Sequence, residues 1–162
     1  MLKFIDRFTQ FTAYITAAIL VALVALILYD ASMRYFFATG STALQELEWH
    51  FFDVVILLSI AYTLRQNAHV RVDIFYEKFS RKTQLIINIL SYLFFVLPLS
   101  FLIIYIGVNF VEMSYLQHEA SSDPGGLGSR WIVKSLMPLG FVLLVLQAIK
   151  ELLGDIQEWR AL

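Results

Sequence analysis

The chain has 162 residues, a net charge of −1 and 59% hydrophobic residues. An average globular chain carries about 45–50%, so a single domain with lipid as its solvent is the expectation. No basic surplus exists to neutralise phosphates, which excludes nucleic acid, and the absence of cysteine excludes disulfides, thiolate metal sites and covalently attached c-type haem.

Lys3 and Arg7 precede an uncharged run, residues 8–29. A secretory signal has an apolar core of about 7–15 residues and a small-residue cleavage site. This run is longer and ends in Leu28-Tyr29-Asp30, so a retained signal anchor is expected. A helix rising about 1.5 Å per residue needs about 20 apolar residues to cross a hydrocarbon core about 30 Å thick. Residues 8–29 satisfy this and stop at Asp30 and Arg34, with Tyr35, Phe36 and Phe37 as interfacial aromatics. Ala13/Ala17 and Ala18/Ala22 form small-xxx-small pairs, which let helices approach closely in lipid.

Residues 39–42, Thr-Gly-Ser-Thr, read as a turn with Ser41 or Thr42 capping a second helix over about 43–64. Its first part holds Glu46, Glu48, Trp49, His50 and Asp53 before it becomes cleanly apolar. The middle connection, residues 65–82, mixes charges with Ile74, Phe75, Lys78, Phe79 and Lys82, a pattern that predicts a short amphipathic helix at the interface. Residues 83–111 carry no charge and exceed the hydrocarbon core, so this third crossing should tilt or project. Pro98 predicts a kink there, and Asn88 and Asn109 fall near its ends, where interfacial water can satisfy them. Residues 121–128, Ser-Ser-Asp-Pro-Gly-Gly-Leu-Gly, are the strongest loop signal in the chain. The fourth crossing, about 131–150, is less clean: Lys134 must snorkel, and Pro138 belongs in a first turn or at a kink.

Nine of the twelve basic residues, Lys3, Arg7, Arg65, Arg71, Lys78, Arg81, Lys82, Lys150 and Arg160, lie before the first run, in the middle connection or after the last run. Only Arg34, Arg130 and Lys134 occupy the other two connections. Short cytoplasmic loops are enriched in Lys and Arg, so this split predicts an all-α, four-helix membrane protein with both termini in the cytoplasm.

Glu46, His50 and Asp53 stand at i, i+4 and i+7 and share a helical face. We read them as the watery head of the second helix rather than a metal site, since acidic groups suit a helix N-terminus. Asp53 lies about 15 Å down that helix. An Asp near the centre of a spanning helix costs about 2.5–3.5 kcal/mol on insertion scales, so it should face protein: a partner's cation, Arg34 or His50. His50, His69 and His118 cannot supply two haem ligands within one crossing. Residues 124–128 lack the Gly-Lys-Ser/Thr ending of a phosphate loop. No nucleophile–base pair has motif support, and the crossings lack the facing polar rows of a water-filled path. The residues therefore describe an accessory or scaffold subunit, not an enzyme. The rival readings are an autonomous homo-oligomeric channel or small transporter, and a redox-complex membrane anchor.

Several stretches resemble one family, the small DctQ-like membrane subunits of tripartite ATP-independent periplasmic (TRAP) transporters. They are Arg34-Tyr35-Phe36-Phe37, Leu44-Gln45-Glu46-Leu47-Glu48-Trp49, His69-Val70-Arg71-Val72-Asp73 and Pro138-Leu139-Gly140-Phe141. The resemblance implies sodium-driven import of an organic acid or similar small solute. A soluble periplasmic (DctP-like) protein captures the solute and a large (DctM-like) membrane subunit holds the substrate and sodium sites. The small subunit then needs no cofactor of its own and enlarges the static scaffold in the bacterial inner membrane. On that reading Arg34, Glu46, Trp49 and Asp53 are expected to contact the large subunit. His69, Arg71 and Asp73 are expected to fix the cytoplasmic turn, and Asp123, Pro124, Gly125, Gly126, Arg130 and Trp131 to form the periplasmic loop.

Overall fold

A computed structural model describes residues 2–66, 76 and 78–162, with side chains from residue 4 onward. Among them there are helices and no strands: α1 (Leu2–Phe37), α2 (Thr42–Arg65), α3 (Arg81–Ser91), a π-helical turn (Tyr92–Val96), α4 (Leu97–Leu116) and α5 (Trp131–Ala161). α3, the π turn and α4 run on as one third crossing, Arg81–Leu116, so four helices are long and apolar enough to cross a membrane. Residues 69, 71 and 73, and most of the amphipathic segment expected around Ile74 and Phe75, lie outside the described residues.

The helices outrun their apolar cores. α1 has 36 residues, roughly 54 Å at about 1.5 Å per residue, so it must tilt or protrude. It passes the expected stop at Asp30 because Asp30 and Arg34, one turn apart, pair at 2.9 Å. α5 continues past residue 150 to Ala161, where Glu158 receives two hydrogen bonds from Arg81, at 2.6 and 2.7 Å.

The packing is an open row. α1 lies on α2, α2 on α5, and α5 on the third crossing, with only a lighter contact between α1 and α5. α5 is accordingly the most buried helix, contributing Leu144, Ala148 and Leu152 to a core completed by Leu64 of α2 and Tyr92 of the π turn. Two glycines set the spacing. A Cβ on Gly140 would stand 2.5 Å from the Leu57 carbonyl oxygen of α2, and one on Gly107 would stand 3.2 Å from Pro138 Cδ. Pro138 is inside α5, not at its first turn, and its ring fills the space opposite Gly107. Close backbone approach of this kind is how helices gain dispersion contacts in lipid, where burial from water contributes little.

α1 turns an unexpected face inward. Thr9, Thr12, Thr16 and Leu23 are buried, whereas Ala17, Ala18 and Ala22 are exposed. The alanine pairs therefore do not pack α1 within this chain. Threonine is tolerated inside because its hydroxyl can bond its own helix: Thr12 donates to the Thr9 carbonyl and Thr16 to the Thr12 carbonyl, both at 2.9 Å. Thr9 donates instead to Gln147 of α5, at 2.9 Å.

The third crossing shows the effect of Pro98 in a specific form. Pro98 offers no N–H, and immediately before it the helix widens to a π turn, with the Leu97 amide reaching back to the Tyr92 carbonyl. One extra residue is accommodated there. The buried positions of this crossing are Leu85, Tyr92, Ser100, Gly107 and Ser114. They recur every seven residues except for one step of eight, across the π turn.

The two polar ends and the candidate interaction head

At one end of the row, α1, α2 and α5 are joined by charge. Asp6 of α1 stands 3.4 Å from Arg65 of α2 and 3.0 Å from Lys150 of α5. Arg65 also donates to Gln10, at 2.5 Å, and Gln147 donates to Glu151, at 2.6 Å. Arg81 and Glu158 tie the third crossing to α5 here, and Lys82 lies 5.8 Å from the Trp159 ring. Arg65, Arg81 and Lys82 of the basic middle connection thus share one end with Lys150.

At the opposite end, Glu46 organises the 121–130 loop. One carboxylate oxygen accepts from the Ser121 hydroxyl and from Arg130 Nη2, the latter at 3.1 Å, and the other accepts from the Leu127 amide at 2.5 Å. The Ser121 hydroxyl also accepts from the Asp123 amide, at 3.1 Å. Backbone bonds Ser121 N–H to Leu127 O and Gly126 N–H to Asp123 O, both 3.0 Å, close the loop on itself. Gly125 has φ +79°, a conformation glycine adopts without steric cost. A Cβ on Gly126 would collide with Ser121 and come within 2.9 Å of Glu46 Oε2. The loop's two glycines therefore answer different demands, one of dihedral angle and one of space.

A second tie secures the base of the loop. Lys134 pairs with Glu119 and lies 4.0 Å from the Phe110 ring. This contact, first among the causes, holds the Glu119 carboxyl below its ordinary value. Arg130 N–H donates to the Glu119 carbonyl at 3.0 Å, and Trp131 meets Tyr115 edge-on, with ring centroids 5.5 Å apart.

The expected face of α2 is brought to a single place. Glu46, Trp49, His50 and Asp53 line a cavity of about 450 Å³ together with Asp123, Arg130 and Lys134. Arg34 does not join them. It pairs with the buried Asp30 on its own helix, which corrects the expectation that Arg34 could serve as the cation for Asp53. Ser41 occupies the N-cap of α2 but forms no capping side-chain bond. Asn88 is satisfied by protein, accepting from the Tyr76 hydroxyl at 3.0 Å. Asp123, Pro124 and Gly125 are exposed at the tip of the loop. No group of three or more His, Asp or Glu residues among the described ones is arranged to hold a metal ion.

Sequence reasoning missed Asp6, Ser121, Glu119 and Gln147. Ser121 and Arg130 are separated from Glu46 by 75 and 84 positions, and helical periodicity carries no information over such distances. The loop signal and the lone cations Arg130 and Lys134, each needing a counter-charge, were the clues within the sequence.

The family model for tripartite ATP-independent periplasmic transporters, DctQ component, matches residues 23–158. Among curated proteins nothing matches. With most of its length covered, the chain belongs to the DctQ family, a family of transporter components and not of enzymes.

Proposed function

We propose that this DctQ component is the small scaffold subunit of a sodium-driven secondary transporter that imports an organic acid or similar small solute delivered by a periplasmic binding protein. The observation that carries this reading is the family match over residues 23–158. The open row of helices supports it. A chain whose crossings lie side by side, with α1 and the third crossing at opposite margins, has broad faces to lend to a partner.

In this reading the chain is a multi-pass protein of the bacterial inner membrane, with both termini in the cytoplasm. The gathering of Arg65, Lys150, Arg81 and Lys82 at one end supports that orientation through the cytoplasmic preference of Lys and Arg. The 121–130 loop and the head of α2 then face the periplasm, where the binding protein arrives. Substrate and sodium sites belong to the large DctM-like subunit, and this chain holds no cofactor. Arg34, Trp49 and Asp53 contact the large subunit, while Glu46 contributes by shaping the loop between them. His69, Arg71 and Asp73 fix the cytoplasmic turn.

Purification of the tagged chain from native membranes tests the reading. A much larger hydrophobic protein should accompany it in stoichiometric amount, and Asp53→Arg should reduce that yield. Homo-oligomers alone would favour a channel, and haem absorbance would favour a redox anchor. Because the chain has no cysteine, single cysteines at Asp123 and Lys78 test the orientation: an impermeant thiol reagent outside the cell should label only the first.

A further inference from the structure

Between the outer halves of α1 and α2 lies a second groove, about 310 Å³, lined by Leu23, Ile27, Glu48, Trp49 and Phe52. Its walls are apolar except for Glu48, whose Oε1 is shut off from solvent and has no hydrogen-bond partner among the described residues. Glu46, Asp30 and Glu119 have ion-pair partners in Arg130, Arg34 and Lys134, whereas Glu48, like Asp53, has none among the described residues. Glu48 lies six residues into α2, roughly 9 Å along its axis, and a carboxylate oxygen shut off from water without a partner is costly wherever it lies.

Trp49 separates this groove from the polar cavity around Asp53, lines both, and is 69% exposed. Ile27, Phe52 and Ile56 are exposed beside it. The face therefore combines a large aromatic ridge with a carboxylate that has no cation beside it among the described residues. The far margin of the row is different: Phe101, Leu102, Tyr105 and Ile106 of α4 are exposed, and a lipid chain satisfies such a surface fully. Acyl chains offer nothing to Glu48.

We infer that the α1/α2 groove seats a helix of the large membrane subunit, and that a basic side chain on that helix closes on Glu48 with Trp49 packed over it. This rests on the two-subunit reading above and adds which face is used and what chemistry the partner presents. A guanidinium or ammonium fits both walls, since it pairs with a carboxylate and is attracted to the face of an indole. Tryptophan and arginine are also among the side chains enriched at interface hot spots.

Site-specific photo-cross-linking in membranes containing the complete transporter tests this. Benzoylphenylalanine at Trp49 or Phe52 should capture the large subunit, and at Tyr105 it should not. Glu48→Arg should lower the co-purified large subunit about tenfold, with Glu48→Gln intermediate. Capture of the large subunit from Tyr105 alone would overturn the choice of face while leaving the two-subunit reading intact. Capture of phospholipid, or of a second copy of this chain, from positions 49 and 52 would overturn the inference as well. If no large subunit co-purifies with the unsubstituted chain, the proposed function itself fails.

Discussion

The two ends of this molecule use the same chemistry for different purposes. At the basic end, Asp6 sits between Arg65 and Lys150, so one carboxylate joins three helices side chain to side chain. At the loop end, Glu46 reaches one arginine but spends its remaining capacity on a hydroxyl and a backbone amide. The first arrangement sets how helices lie against each other. The second sets the shape of a loop whose tip is exposed. A carboxylate surrounded by cations acts on packing; a carboxylate that reads backbone acts on surface shape. Stability and loop order should therefore be separable by mutation.

The largest effect is expected at the basic end. Asp6→Ala should lower the unfolding free energy by about 1–2 kcal/mol in detergent, less than for a fully buried pair because these side chains are partly exposed. Circular dichroism during titration with a denaturing detergent measures it. Asp6→Leu combined with Lys150→Met should recover part of the loss, since removing both charges leaves no orphan.

Glu46→Gln comes next and should act locally. Exchange of the Leu127 amide, which donates to Glu46, should accelerate about tenfold, with global unfolding nearly unchanged. Gly126→Ala should reproduce this through crowding of Ser121 and Glu46. If Glu46→Gln destabilised the whole protein as much as Asp6→Ala, the division between the ends would collapse.

The smallest effect concerns pH. Folding with Lys134 beside it lowers the Glu119 carboxyl below its ordinary value of 4.5. The stabilisation from this contact is therefore fully present above that value and is lost as the pH falls through the lower folded value. Exchange of the Arg130 amide, which bonds the Glu119 carbonyl, should rise in that acid window, and Glu119→Gln should remove the pH dependence. A flat profile in the unsubstituted protein would show that the backbone bonds hold the base of the loop without the ion pair.

What was legible in the sequence follows from the range of each interaction. Four crossings could be read because a spanning helix must be apolar over about 20 residues, and the runs at 8–29 and 83–111 have that property on their own. The shared face of Glu46, His50 and Asp53 could be read because helical periodicity is local. The ends of α1 and α5 could not, because they persist through charged turns held by Asp30–Arg34 and Arg81–Glu158. Nor could the inward face of α1. Composition pointed to its alanines, but threonines that satisfy themselves on their own helix are as admissible inside. The clamp at Glu46 depended on a loop returning to the head of α2, which only the tertiary structure supplies.

The single step of eight in the third crossing has a consequence for how this helix tolerates changes of length. A strict seven-residue seam can absorb an added residue only where the helix locally widens. Tyr92–Val96 is that place, and Phe94 within it is 68% exposed. Losing Phe94 would bring the buried positions on either side back to an unbroken spacing of seven and convert the π turn to ordinary helix. Losing Phe101, equally lipid-facing in character, would rotate Gly107 away from Pro138 and Ser114 out of the seam. The π turn is thus a register joint: the point on this crossing where a residue can be lost without rotating the rest of the helix out of its contacts.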